Sequence, residues 1–179
     1  TTWKVPDAID LATAVGVPLG YGTAYAALHW RGRIRPGETL VVYGAAGGVG
    51  TAAVQLGRLA GAHVIAVAGT EDRVRIALDN GAHQGLTHEG DELGRRIKAL
   101  NGGRPADIVF DPVGGRLFDE ALKCAGAESR ILLIGFASGK VPAIPANILL
   151  VKNIEVIGFY FGIYIGWGIT DDRELYADK

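Results

Sequence analysis

The residues of this chain best suited to chemistry form a glycine-rich turn, GAAGGVG at 44–50. The turn follows the apolar run 39–43 and precedes the helix-forming run 51–60. A strand, a glycine turn and a helix in this order aim backbone N–H groups at a diphosphate. Gly47 would let a pyrophosphate approach the main chain, and Gly50 would let the helix pack close to the strand. The spacing therefore predicts a dinucleotide-binding turn.

The turn departs from the dinucleotide fingerprint at one position. Read as G-x-G-x-x-G it spans 45–50, and Ala45 stands where the first glycine is expected. A tight structural turn in any α/β domain could carry the same residues. The turn alone leaves both interpretations open, so the context of the turn has to distinguish them.

Composition limits the class of protein. The chain has 179 residues, 49% of them hydrophobic, and a net charge of -1, which suits one well-buried domain and offers no basic excess for nucleic acid. Its one cysteine, Cys124, excludes an internal disulfide framework and a cysteine-rich zinc site, and we expect it to be a buried apolar residue. We expect a cytoplasmic protein with no membrane partner, because neither a signal-like start nor an apolar run of membrane-spanning length is evident. With no methionine, the chain is interpreted as a piece of a longer protein.

Apolar and amphipathic segments alternate along the chain. Two helices are predicted first, 7–14 and 18–30, the second beginning near Pro18. The later segments predict strands 39–43, 63–68, 84–87, 106–110, 130–134 and 154–160, and helices 48–60, 71–80, 89–101 and 114–125. The strands are continuously apolar, so helices should cover both faces of the sheet. The predicted fold class is α/β, a Rossmann-type doubly wound parallel sheet. Residues 1–36 would be a helical lead-in, 37–165 the Rossmann domain and 166–179 an irregular tail.

The end of the second strand bears on which dinucleotide fits. It reads Ala68-Gly69-Thr70 and lacks the acidic residue that would bind the adenosine ribose and repel a 2′-phosphate. Thr70 and Arg73 instead offer a hydroxyl and a guanidinium to a phosphate, which favours NADP(H). The alternative is that Glu71 turns onto a ribose as in an NAD site. Glu71 could equally be a first-turn acid stabilised by the helix dipole.

Further motifs agree in order and spacing with one family. They are GTAY at 22–25, PGE at 36–38, VQLG at 54–57, NGA at 80–82, FDPVGG at 110–115, GFASG at 135–139 and IPANILLVKN at 144–153. With the glycine turn they cover nearly all of 5–165. The chain resembles the quinone oxidoreductase (zeta-crystallin-like) branch of the medium-chain dehydrogenase/reductases. The resemblance implies a cofactor-binding domain whose flanking GroES-like catalytic domain is absent from this chain.

The resemblance also assigns residues to bound NADP(H). Thr23 would lie near the nicotinamide, Ala46, Gly47, Gly48 and Val49 at the pyrophosphate, Gly69, Thr70 and Arg73 around the 2′-phosphate, and Asp111, Val113, Gly135, Phe136 and Ala137 on the nicotinamide side. Relatives often have a tyrosine at the 2′-phosphate end where this chain has His88, so that contact would be altered or pH-dependent. His88 could equally be an exposed loop residue. Asp111, which precedes a proline and a helical run, could equally be a helix cap.

Other catalytic constellations are weak in this sequence. It has no serine elbow, no paired catalytic carboxylates and no phosphate-loop lysine, which disfavours a hydrolase or an ATPase. His29, His63 and His83 lie in separate elements without partners at metal-ligand spacing, so no metal site is expected. The resemblance implies that the whole enzyme is zinc-independent. No residue of this chain is assigned a catalytic role.

The sequence and the resemblance together predict an oxidoreductase domain. In the full-length protein, NADPH would give a hydride to a small electrophilic acceptor, a quinone or an activated alkene. One alternative is the enoyl-reductase domain of a polyketide or fatty-acid synthase, and another is a non-enzymatic NADPH-binding or sensor protein. The resemblance also suggests a homodimer that pairs through the edge strand near 154–161.

Overall fold

The computed structural model describes residues 4–165, which form a six-stranded parallel sheet between two layers of helices. The strand order is 3-2-1-4-5-6, so the chain reverses its direction of travel across the sheet between the first and fourth strands. This is the order of a doubly wound dinucleotide-binding fold, and it confirms the predicted fold class. The predicted tail 166–179 lies outside the described residues.

Helices and strands alternate after the first helix. The strands are β1 Thr39–Tyr43, β2 His63–Ala68, β3 Gln84–Thr87, β4 Ala106–Asp111, β5 Ala125–Leu133 and β6 Glu155–Gly158. The helices are α1 Leu11–Arg31, α2 Gly48–Leu59, α3 Glu71–Asp79, α4 Leu93–Leu100, α5 Arg116–Cys124 and α6 Ala146–Lys152. A 3-10 turn follows at Phe161–Ile165.

The N-terminal region differs from its prediction. The two predicted helices, 7–14 and 18–30, are one helix, α1, and Pro18 lies inside it. Two segments of α1, Val17–Tyr21 and Ala26–Arg31, have π-helical hydrogen bonding, and the first of them contains the proline. A wider helical turn can accommodate a residue that lacks an N–H, so the proline does not end the helix. The helix begins after Asp10, whose carboxylate accepts the Thr13 N–H at 3.0 Å.

Four later elements also differ from their predictions. Helix α4 begins four residues after its predicted start, at Leu93, and the residue before it, Glu92, has left-handed backbone geometry with φ 55°. Helix α5 begins two residues after its predicted start because Gly114 and Gly115 both have positive φ. Strand β5 begins before residue 130 and includes a register shift against β4, with Glu128 at φ 58°. Helix α6 was not predicted. Its short apolar segment has no distinct helical periodicity.

Both faces of the sheet are buried, as the continuously apolar strands predicted. In β1, Leu40 and Val42 belong to the core cluster under α1 and α2, whereas Val41 and Tyr43 belong to the one under α4 and α5. Cys124 is fully buried in this second cluster, and burial raises the pKa of its thiol to about 12. The prediction of a buried apolar cysteine is therefore confirmed.

Helix α1 also bears on the expectation of no membrane contact. It has 21 residues and a mean hydropathy of 1.2, so by length and composition alone it could cross a membrane. Its second half packs in the core, where Ala24, Ala26, Ala27 and Leu28 are fully or almost fully buried. Core packing accounts for the apolar composition of this half.

Candidate functional site

A cleft of about 390 Å³ opens at the carboxyl ends of β1, β2 and β4, where the strand order reverses. Ligands bind at this point in doubly wound sheets because the loops of neighbouring strands diverge there. The lining residues are Gly44, Ala46, Gly47, Gly48, Val49, Gly50, Ala68, Gly69, Arg73, His88, Pro112, Val113, Leu117 and Ala137. The cleft is therefore built from segments spread over more than half of the chain.

Most of the predicted site residues line this cleft. They are Ala46, Gly47, Gly48, Val49, Gly69, Arg73, His88, Val113 and Ala137. Five predicted residues do not line it: Thr23, Thr70, Asp111, Gly135 and Phe136. Of the lining residues that were not assigned, Leu117 had no signal in the sequence, because it lies on the apolar face of α5 like any core leucine.

The glycine turn explains the missing first glycine of the fingerprint. Its positive φ, 60°, falls on Gly44, one residue before the position occupied by Ala45. Ala45 has ordinary backbone geometry, is fully buried, and donates its N–H to the Val67 carbonyl oxygen at 3.1 Å. An alanine is therefore acceptable at this position, since the left-handed conformation is supplied by Gly44.

The N-terminus of α2 faces the cleft and can receive an anion. Gly47 precedes the helix, and no side chain in the described part of the chain caps it. The N–H groups of the first helical turn have no intrahelical acceptor, and the helix dipole adds partial positive charge there. A Cβ on Gly48, the first helical residue, would meet nothing within 4 Å. The turn thus offers unpaired donors next to open space, which is the geometry that a phosphate group requires.

At the β2 end of the cleft, Arg73 is available to a ligand. Its guanidinium makes no hydrogen bond or ion pair with any other residue in 4–165. Thr70 is the N-cap of α3 and accepts the Arg73 N–H at 3.3 Å, so its oxygen has a structural role. Glu71 does not line the cleft, and Asp72 lies 3.9 Å from Arg75 on the exposed side of the helix. Among the described lining residues Arg73 and His88 can carry charge, and none is a carboxylate.

His88 follows β3 and packs beside the tip of β2. Its N–H donates to the Ala68 carbonyl oxygen at 2.9 Å. Its imidazole Nε2 lies 3.4 Å from the point where a Cβ on Gly69 would stand. The imidazole Nδ1 is buried without a hydrogen-bond partner among the residues that the structure describes. His88 is therefore partly buried in the cleft wall rather than fully exposed in a loop.

Asp111 acts beneath the cleft. The carboxylate Oδ1 accepts the N–H groups of Val113 and Gly114, each at 2.8 Å, and so fixes the loop after β4. The cap interpretation needs correction, since the residue before α5 is Gly115 and no side chain caps that helix. Burial raises the pKa of Asp111, although the two backbone N–H bonds oppose this effect. Its Oδ2 is buried and has no partner within residues 4–165.

The loop after β5 is fastened to the loop that Asp111 holds. Ala137 donates its N–H to the Pro112 carbonyl oxygen at 3.1 Å, and Ser138 donates to that of Val113 at 3.0 Å. The Ala137 N–H is thus engaged within the protein, although Ala137 lines the cleft. Phe136, beside it, has 42% of its surface exposed. The two loops form one unit whose position depends on Asp111.

Two other features are less suited to a dinucleotide. A cavity of about 570 Å³ near the start of α1 is lined by apolar residues and by one charged residue, Lys4, so it has little to orient a polar ligand. The rings of His63 and His83 lie 4.6 Å apart, but the His83 Nδ1 accepts the Val64 N–H. Across residues 4–165, no group of three or more His, Cys, Asp or Glu could hold a metal ion.

Comparison with known proteins agrees with this architecture. The family described as zinc-binding dehydrogenase matches residues 48–168. Quinone oxidoreductase-like protein 2 of Rattus norvegicus is 38% identical over 165 residues, which are 92% of this chain and 47% of the relative. The chain spans about half the length of the curated relatives it matches.

Two solved structures link the fold to a bound cofactor. The quinone oxidoreductase of Thermus thermophilus, also solved in complex with NADPH, is 33% identical with a TM-score of 0.76; the match covers 88% of this chain and 50% of that one. A mycobacterial protein complexed with NADPH is 28% identical with a TM-score of 0.84, covering 90% of this chain and 50% of its own. The fold therefore has counterparts in proteins whose structures were solved with NADPH.

Proposed function

Because this chain belongs to the medium-chain dehydrogenase/reductase family, in the branch of the quinone oxidoreductases, we propose that it is the NADP(H)-binding domain of an oxidoreductase. The observation that carries the proposal is the charge of the cleft. The N-terminus of α2 and the guanidinium of Arg73 both face it, neither is paired with a side chain of residues 4–165, and no described lining residue is a carboxylate. An anionic ligand with phosphates at both positions suits such a cleft.

The residues present fit NADP(H) in three respects. Gly48 leaves open space above the first turn of α2, where a side chain would otherwise project. Arg73 is exposed and unpaired within the described part of the chain, so it can bind a 2′-phosphate without first breaking an ion pair. The Nδ1 of His88 is a buried polar atom that lacks a partner among the described residues. The open space at Gly48 and the unpaired Arg73 contribute no stability to the fold, and a bound phosphate group at each position would account for them.

Each part of the cleft would then have its own task. The turn and the first turn of α2 would bind the diphosphate through backbone N–H groups. Arg73, with the Thr70 hydroxyl as a second donor, would bind the 2′-phosphate. Val113 and Ala137 would border the nicotinamide ribose, and Asp111 would fix the positions of the two loops that carry them. Thr23, Gly135 and Phe136 remain proposed neighbours of the nicotinamide, although they do not line the cleft.

When bound, NADPH supplies the hydride for the reaction. We propose that the full-length protein transfers it to a quinone or to an activated alkene. The role of this chain is to hold the cofactor in one orientation relative to the acceptor. Binding energy then offsets the entropy that the two reactants lose when they are aligned. Zinc independence and a cytoplasmic location belong to the same proposal.

Titration calorimetry of the 179-residue chain with NADPH and NADH tests the cofactor assignment. We expect NADPH to bind more tightly than NADH. Arg73→Ala should weaken the binding of NADPH by about 10- to 100-fold, because charge-assisted hydrogen bonds contribute about 1.5–3 kcal/mol. It should leave the affinity for NADH within about twofold of the parent value. Arg75→Ala is the matched control, since Arg75 is on the same helix but pairs with Asp72 outside the cleft.

Two outcomes would contradict the assignment. Equal affinity for NADPH and NADH, unchanged by Arg73→Ala, would exclude a 2′-phosphate site and direct attention to Glu71. In that case Glu71→Gln should weaken NADH. Failure to bind either dinucleotide would contradict the proposal that this chain carries the site.

The acceptor is tested on the full-length parent protein. Oxidation of NADPH would be followed by its absorbance with a benzoquinone, an enone and an enoyl thioester in turn. Turnover of the quinone or the enone supports the proposed activity. Turnover of the thioester alone favours the enoyl-reductase alternative, and tight binding without turnover of any acceptor favours a binding or sensor protein.

We also propose that two copies pair along β6, which is an edge strand of the sheet. Its outer side has no neighbouring strand among the described residues, and edge strands readily pair with another chain. Tyr160, just beyond the strand, is half exposed and would add apolar contact. Such a dimer would continue the sheet from one subunit to the other.

A further inference from the structure

Arg116, the first residue of α5, contacts the loop that follows β3. Its guanidinium Nη2 donates to the His88 carbonyl oxygen at 2.9 Å, and Nη1 lies 3.5 Å from that of Gly90. The helix dipole disfavours a cation at a helix N-terminus, so the stability of α5 itself does not account for an arginine there. The hydrogen bonds from its guanidinium to the neighbouring loop account for the arginine.

The loop after β3 has few bonds of its own to hold it. The His88 N–H is bonded to β2, but beyond it Gly90 has φ +80° and the carbonyl of Glu89 is bound by the Arg96 side chain at 2.5 Å. One helical turn past Arg116, the buried Glu120 accepts the Gly94 N–H at 2.7 Å. Helix α5 thus fastens the segment 88–94 at both ends, and Arg116 holds the end that enters the cleft.

The position of the His88 ring depends on this fastening. The ring stands against Gly69 in the cleft wall, and Leu117, the residue after Arg116, lines the same cleft. If the carbonyls of His88 and Gly90 were released, the bond from the His88 N–H to the Ala68 carbonyl oxygen would be left to hold residue 88 against β2, and the loop with its imidazole could shift. The Arg73 side of the cleft would then lose one wall.

From this geometry we propose that Arg116 is a positioning residue for the adenosine end of the cleft. It touches no ligand and acts through His88, whose ring it keeps beside Gly69 where the 2′-phosphate end of the cofactor would bind. This inference rests on the proposed function, because it assigns a determinant of affinity to the same site. It predicts that Arg116 and His88 are energetically coupled in binding, although only His88 lines the cleft and Arg116 holds the loop that carries it.

A double-mutant cycle on the 179-residue chain tests the coupling. The probes are 2′,5′-ADP, which carries only the adenosine end of the cofactor, and reduced nicotinamide mononucleotide, which carries only the other end. Arg116→Ala should weaken 2′,5′-ADP by about three- to tenfold, in the range of a lost hydrogen-bonded contact, and leave the mononucleotide unchanged. His88→Ala should weaken 2′,5′-ADP similarly. The double variant should bind no more weakly than His88→Ala alone.

Two further variants separate positioning from stability. Arg116→Lys should recover part of the affinity, since one ammonium group can reach one of the two carbonyls. Arg95→Ala removes an exposed arginine on α4 that pairs with Glu92, and it should leave the binding of 2′,5′-ADP unchanged. Thermal melts should differ by only a few degrees, because Arg116 is exposed.

Two results would overturn the inference. Additive losses for Arg116→Ala and His88→Ala would mean that Arg116 does not act through His88. Equal weakening of 2′,5′-ADP and of the mononucleotide would mean a general loss of structure. If the unsubstituted chain does not bind 2′,5′-ADP, the proposed function fails first, and that result is distinguishable from a wild-type affinity without coupling.

Discussion

A Cβ on Gly50 would lie 2.1 Å from the carbonyl oxygen of Gly44, closer than real Cβ contacts allow. A Cβ on Gly48, two residues earlier in the same turn, would meet nothing within 4 Å. Gly50 is therefore required by the fold, because α2 cannot approach the turn with a side chain at that position. Gly48 is not required by packing, so the space above it is available to a ligand.

This difference predicts opposite effects for two alanine substitutions. Gly48→Ala should keep or raise stability by up to about 1 kcal/mol, since alanine restricts the unfolded chain, while the new methyl group enters the cleft and weakens NADPH by at least about tenfold. Gly50→Ala should lower stability by about 1–3 kcal/mol or more, as overpacking does, because the atom that the new Cβ meets is backbone. Urea unfolding and calorimetric titration measure both effects. If Gly48→Ala binds NADPH with the affinity of the parent chain, the glycine turn is not part of the binding site.

The loop that Asp111 holds gives a pH-dependent prediction. Burial raises the folded-state pKa of Asp111 above its unfolded value, so its contribution to stability is fully present below about pH 3.9 and is lost as pH rises through the folded pKa. Asp111→Asn keeps an oxygen acceptor and does not titrate. Its stability relative to the parent chain should therefore increase as pH rises above about 4. Urea unfolding at about pH 4 and about pH 7 compares the two chains.

The control for Asp111 is removal of the acceptor. Asp111→Ala leaves the N–H groups of Val113 and Gly114 without their bond and should cost about 1–3 kcal/mol at about pH 4. It should also weaken NADPH, because the two loops lose their common support. A pH-independent difference between Asp111→Asn and the parent chain would contradict the assignment of a raised pKa.

Glu120 predicts the opposite pH trend. Burial raises the pKa of Glu120, but the Lys123 ammonium, the Gly94 N–H and nearby positive charges together lower it by more, so that the net pKa is below its ordinary value. The stability that Glu120 contributes is then present above its unfolded pKa and lost as pH falls through the lower folded value. Glu120→Gln should cost about 1–2 kcal/mol at about pH 7, and this difference should shrink below about pH 4. The exposed neighbour Asp119 provides the control variant, Asp119→Asn, with little effect at either pH.

The proposed dimer predicts an effect of a proline on the sheet edge. The Phe159 N–H donates to Leu133 of β5, so by the alternation of a strand the Val156 N–H points away from β5. Val156→Pro removes this outward donor, and Val156→Thr keeps it. Light scattering should show a monomer for the proline variant and a dimer for the parent chain and the threonine variant. A monomeric parent chain at high concentration would exclude pairing through this edge.

The sequence predicted most elements because their signals are local. The first four strands, the glycine turn and the first two helices after it fall close to their predicted bounds, since periodicity and glycine positions act over a few residues, whereas β5 and α4 begin four to five residues from their predicted starts. Pro18 does not start a helix, because it lies inside the π-helical segment Val17–Tyr21 of the continuous helix α1. Asp111 failed as a helix cap because two following glycines delay α5.

The sequence by itself determined the order of strands and helices, the burial of both sheet faces and the glycines that the turn requires. Only the tertiary structure decided which loops meet. Arg116 and His88 are 28 residues apart, and no local pattern predicts that one binds the carbonyl of the other. That contact exists because β3, β2, β1 and β4 lie side by side, and the order of strands in a sheet depends on long-range pairing that each segment's own propensity does not encode.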